Sequence, residues 1–131
     1  MTKVFNRIIH LPQFSKNIKQ LAKKYRTIED DIGGNFVNSV LKLYHHENKN
    51  TAQIERCDEA GYEYPKVYVA KKFVCRSLKE TDKIRVVWAY YDKSDTIVYI
   101  EIFFKGEQII PNKKKYQDLF KTLEQIGECI T

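Results

Sequence analysis

The run Lys71–Lys105, KKFVCRSLKETDKIRVVWAYYDKSDTIVYIEIFFK, decides how this chain is read. It completes one extended segment, Val67–Arg76, and adds two more, Lys83–Tyr91 and Thr96–Lys105, joined by the polar turns 77–82 and 92–95. Short polar turns between β-branched and aromatic runs predict an antiparallel meander. Each segment carries cations: Lys71, Lys72 and Arg76, then Lys83 and Arg85, then Lys105. A strand that only fills a core has no use for an arginine between two apolar residues, because an unpaired buried charge is costly. Cations along one sheet face instead make a rigid platform for a polyanion.

Alternation assigns the faces. Ile84, Val86 and Trp88 should point inward, which turns Arg85 outward. Val98, Ile100, Ile102 and Phe104 should also point inward, leaving Tyr99, Glu101, Phe103 and Lys105 on the other side. Arg85 and Lys105 are therefore expected on one open face. Lys72 and Arg76 share a parity in the preceding strand.

Working outward, Lys3–Leu11 (KVFNRIIHL) has the β-branched and aromatic content of a first strand, ended by Pro12. Phe14, Ile18, Leu21 and Tyr25 then recur at helical spacing, with Pro12 suited to the first turn. A second helix is expected from Thr27, a capping residue, through Ile28, Ile32, Phe36, Val40 and Leu43 to about Tyr44. Glu29, Asp30 and Asp31 favour its positive N-terminal end. Gly33-Gly34 is expected to allow close packing on the first helix without breaking the second. Glu47–Lys66 is polar and aperiodic and reads as a long loop. After Pro111, KKKYQDLFKTLEQIG predicts a short final helix. The sum is one α+β domain, residues 1–131. It has a four-stranded antiparallel sheet, a two-helix hairpin packed on one face and a C-terminal helix, in the order β-α-α-β-β-β-α.

Lys and Arg number 23 against 17 Asp and Glu, a formal charge of +6 that favours a nucleic acid or an acidic protein as partner. Cys57, Cys75 and Cys129 form no CxxC. With His10, His45 and His46 they form no zinc-ligand spacing, so reduced thiols, no metal and no cofactor are expected. His45 and His46 read as a polar helix end. No secretory signal or membrane span is evident, and a cytoplasmic location is expected.

The order of elements, and three passages within it, resemble the RelE/ParE superfamily of toxins from type II toxin–antitoxin modules. FSKNIKQLAKKYRTIEDDI (Phe14–Ile32) is similar to the opening helix pair, KIRVVWAYYD (Lys83–Asp92) to the "yRvvY" strand and its turn, and IVYIEIFFKGE (Ile97–Glu107) to the last strand. The resemblance implies a metal-independent endoribonuclease that cuts messenger RNA on the ribosome. In such an enzyme the 2′-hydroxyl attacks the adjacent phosphate, and cations stabilise the added negative charge. Carried over by position, Arg85, Arg76, Lys105 and Tyr116 would be catalytic. Lys71, Lys72, Lys83, Lys113, Lys114 and Lys115 would bind RNA.

The implied partners are a cognate antitoxin, the ribosome with its mRNA, and operator DNA reached through the antitoxin. Gly106 stands where some ribonuclease members have an arginine, and no histidine follows His46. The alternatives are a non-catalytic inhibitor of a protein such as DNA gyrase, as in the ParE branch, and a basic module that only binds RNA or DNA.

Overall fold

The computed structural model describes residues 4–56, 66–105 and 125–126. The described chain is α+β, with the helices of residues 12–47 on one face of a five-stranded mixed sheet ordered β1-β5-β4-β3-β2. The strands are β1 (Arg7–His10), β2 (Ile54–Arg56), β3 (Lys66–Ala70), β4 (Ile84–Tyr91) and β5 (Thr96–Phe104). β2 to β5 form an antiparallel meander, but β1 lies parallel to β5, with Arg7 beside Thr96 and His10 beside Tyr99. The four-stranded antiparallel sheet expected from the sequence is corrected on both counts. β2 lies within the segment read as a loop. It is only three residues long and pins Ile54 into the core, helped by Asn50, whose side chain bonds both the N–H and the C=O of Ile54. So short a strand leaves no periodic signal.

The helical layer begins with α1 (Pro12–Ala22), which buries Phe14 and Ile18 against β5. The expected second helix is broken. α2 (Ile28–Gly33) stops at Gly34, whose ψ of −88° leaves the helical range, and a Cβ there would lie 2.9 Å from the carbonyl oxygen of Asp30. A π-helical segment, Phe36–Leu41, follows and leads into α3 (Lys42–Glu47). Phe36, Val37, Val40 and Leu41 of this segment all face the core, on one stripe of the helical surface.

These helices and the sheet enclose Phe14, Ile28, Phe36, Trp88, Tyr99 and Ile102. Thr27 stands at the start of α2 without capping it through its own side chain. Its N–H donates instead to Ser77 Oγ at 3.0 Å, and its hydroxyl donates to Asp31 Oδ2 at 2.8 Å.

The strand expected over Val67–Arg76 ends at Ala70. Residues 71–83 form an irregular loop folded over α2, burying Phe73 and Cys75. In β5 the alternation changes phase. Val87 pairs with Glu101 while Trp88 pairs with Tyr99, so Ile100 is the extra residue of a bulge. Ile102 and Phe104 face the helices as expected, but below the bulge it is Ile97 and Tyr99 that do so. Val98 and Ile100 lie on the opposite face with Val67, Val87, Ala89 and Tyr91, in a second apolar cluster against which Leu11 and Ile126 pack. That face is therefore apolar at its centre, with a group of cations at the end where β4 begins. Of the expected C-terminal helix, Gln125 and Ile126 are described and helical. Among the described residues no helix is long and apolar enough to cross a membrane.

Candidate nucleic-acid interface

The basic end lies where β4 begins and β5 finishes. Arg85 pairs with Phe103, and one step beyond the last paired residues the N–H of Lys105 donates to the carbonyl of Lys83 at 2.6 Å. Lys83, Arg85 and Lys105 thus share one face, opposite the helices, as the alternation in β4 implied. Two lysines directly across a ladder repel each other.

Arg85 is half-buried, and its Nη1 donates to the carbonyl oxygens of Lys71 and of Asp82, the latter at 3.0 Å. Neutral acceptors fix the guanidinium without cancelling its charge. Among the described residues no carboxylate pairs with Lys72, Lys83, Arg85 or Lys105. Glu101, only 4% exposed, lies diagonally from Arg85 on this face, two residues before Phe103.

Two of the expected RNA contacts are otherwise engaged. Lys71 Nζ lies 2.9 Å from Glu55 Oε1. Arg76 belongs to neither the sheet nor its basic end. Its Nε donates to Asp31 Oδ1 at 2.8 Å and its backbone N–H to Asp31 Oδ2 at 2.9 Å, on the helical side. The expected placement of Arg76 on the open face is corrected: its strand ends six residues earlier, so parity says nothing about where it points. Burial pushes the Asp31 carboxyl up, but hydrogen bonds from the Arg76 amide, the Thr27 hydroxyl and the Arg76 guanidinium outweigh it and hold the group below the ordinary carboxylate value. Lys72 is exposed on the 71–83 loop. Tyr116, Lys113, Lys114 and Lys115 lie outside the described residues, as do Cys57 and Cys129.

The histidines do not join the cations. His45 and His46 end α3 beside Tyr90 of β4 and Asp95 of the following turn, at the other end of the sheet. Five residue steps along β4 separate Tyr90 from Arg85, a distance of about 16 Å at strand rise. His45 stacks on Tyr90 with ring centroids 4.0 Å apart and accepts a hydrogen bond from Trp88 Nε1 at 3.0 Å. His46 Nε2 lies 2.9 Å from Asp95 Oδ1, which also accepts the Tyr90 hydroxyl at 2.7 Å.

Burial, with a smaller contribution from His46, lowers the His45 pKa to about 4 against a weaker opposing effect of Asp95. This cluster was missed in the sequence, where the pair read as a polar helix end. The available signal was the aromatic content of the facing strands, at Tyr68, Trp88 and Tyr90. Among the described residues no group of histidine, cysteine and carboxylate side chains could hold a metal ion.

In comparisons with known proteins, no family model, curated protein or solved structure matches this chain.

Proposed function

We propose that this chain is the toxin of a type II toxin–antitoxin pair of the RelE/ParE kind. In this reading it is a metal-independent endoribonuclease that cuts messenger RNA on the ribosome and arrests translation in the cytoplasm. The observation that carries the reading is the grouping of Lys83, Arg85 and Lys105 on one face at one sheet end, with no carboxylate paired to them among the described residues.

Arg85, held by two carbonyls, suits the scissile phosphate. Lys83 and Lys105 flank it and stabilise the charge that grows on the phosphate oxygens as the 2′-oxygen attacks and the 5′-oxygen leaves. The histidine cluster takes no part, being at the far end. The partners under this reading are ribosomal and messenger RNA, an antitoxin that covers the basic end with carboxylates, and operator DNA through that antitoxin.

Two engaged cations, Lys71 and Arg76, reduce the basic surface and favour one rival, a non-catalytic inhibitor of a protein such as DNA gyrase. Expression followed by mapping of mRNA 5′ ends separates the two. The nuclease produces new ends within translated messages, and the Lys83→Ala/Lys105→Ala double variant loses them while still folded. Growth arrest with intact messages and inhibited supercoiling would establish the rival.

A further inference from the structure

β1 covers only half of β5. It pairs with Thr96 to Tyr99, after which Leu11 turns the chain into α1, and Ile100 to Phe104 keep an edge without a neighbouring strand among the described residues. Between that edge and α1 lies a groove of roughly 580 Å³, bordered by Asn17, Gln20, Lys24, Tyr25, Ile102 and Phe104. Grooves of this size accept small organic groups.

Its chemistry is specific. Tyr25 and Phe104 lie nearly parallel, 5° between planes with centroids 6.2 Å apart, and Phe104 is only half-buried. The ammonium of Lys24 stands 5.6 Å from the Tyr25 ring centroid at the exposed rim. Gln20 is exposed on α1 and offers an amide donor and acceptor together. Asn17 Oδ1 accepts the N–H of Ile102 at 3.3 Å, which leaves its NH₂ group for a ligand. That bond also occupies the backbone donor an added β-strand would need, so the groove is poorly prepared for a peptide. An aromatic platform, side-chain amides and a cation at the rim are the elements that hold one base of a single strand.

We propose that this groove binds an unstacked nucleobase of single-stranded RNA. The base stacks on Phe104, its edge meets Gln20 and Asn17, and its phosphate meets Lys24. Lys105 follows Phe104 directly but points to the opposite face, so a strand leaving the groove reaches the basic end by passing around the end of the sheet. The inference rests on the reading of that end as an RNA site, and adds to it the place where base identity is sensed.

The test compares binding of labelled oligo(A), oligo(C) and oligo(U) with an abasic ribose-phosphate oligomer of the same length, each over a range of salt. Wild type should prefer base-bearing RNA over the abasic oligomer by about tenfold. Gln20→Ala and Phe104→Leu should abolish that preference and leave abasic binding and the salt slope unchanged. Lys105→Ala should weaken every oligomer alike and reduce the slope. Gln20 is exposed on a helix, so its alanine variant stays folded even if Phe104→Leu does not. If the folded Gln20→Ala variant and a folded Phe104 variant both keep the full preference, the groove is not a base site although the RNA reading stands. If wild type binds no oligomer, both readings fail.

Discussion

The indole N–H of Trp88 donates to Nε2 of His45 at 3.0 Å, which fixes His45 as the neutral tautomer with its proton on Nδ1. A proton added at Nε2 would set two donors against each other under the Tyr90 ring. The groups facing His45 are Tyr44 and His46 on its own helix, Tyr68 of β3, Trp88 and Tyr90 of β4, Phe5, and Asp95 in the turn.

The unfolded chain takes up a proton at His45 near the ordinary value, while the folded chain resists until about pH 4. Stability is therefore full above about pH 6.5 and falls as the pH drops toward 4, by about 3 kcal/mol for this group. Urea unfolding across that range should show the decline, and His45→Phe should flatten it. A profile equally steep in His45→Phe would assign the decline to other groups.

Asp31 acts in the same direction at lower pH. Its folded pKa lies below the ordinary value, so its contribution is present above about pH 4 and disappears as acid protonates it. Arg76→Ala leaves the 3%-exposed Asp31 carboxylate with its Thr27, Cys75 and backbone partners. The Arg76 side chain is itself 63% exposed, so the expected loss is modest, about 1–2 kcal/mol. Thermal melting should show it. RNA cleavage per folded molecule should be unchanged, the reverse of what a catalytic Arg76 implies.

Lys83 and Lys105 oppose each other across the end of the ladder. Lys105→Gln should stabilise the fold by a few tenths of a kcal/mol and more at low salt, while weakening RNA binding. Opposite signs in the two assays mark a residue kept for binding. A variant that loses both stability and binding would show Lys105 to be structural.

Gly33 and Gly34 should behave differently. A Cβ on Gly33 meets nothing within 4 Å, whereas one on Gly34 meets the Asp30 carbonyl at 2.9 Å. Gly33→Ala is expected to stabilise by about 0.5–1 kcal/mol through helix propensity, and Gly34→Ala to destabilise by 1 kcal/mol or more. Equal effects in chemical denaturation would remove the steric account of the α2 break.

What the sequence revealed follows from these details. β4 was legible because Arg85 interrupts an apolar run and sets the phase, so Ile84, Val86 and Trp88 were placed correctly. β5 was legible as a strand but not in its faces. Ile97, Val98, Tyr99 and Ile100 are all apolar, so no polar residue reveals where the bulge shifts the phase. The same unbroken run was the available sign that both faces of the strand are covered. Arg85 and Lys105 were placed together because they lie on adjacent strands joined by a tight turn. Arg76 was misplaced because an irregular loop has no period. The His45 cluster and the Asn17–Phe104 groove both depend on elements that meet only in three dimensions.

The parallel pairing of β1 with β5 has a consequence for how the molecule is made. Arg7 and Thr96 meet across on the order of 90 residues of chain, and such non-local pairing slows folding because loop-closure entropy is lost before contacts compensate it. During synthesis β1 has no strand beside it until β5 has emerged. Lys105, which follows β5, therefore emerges last among the three cations. The basic end cannot form on a nascent chain before the fold that carries it is nearly complete.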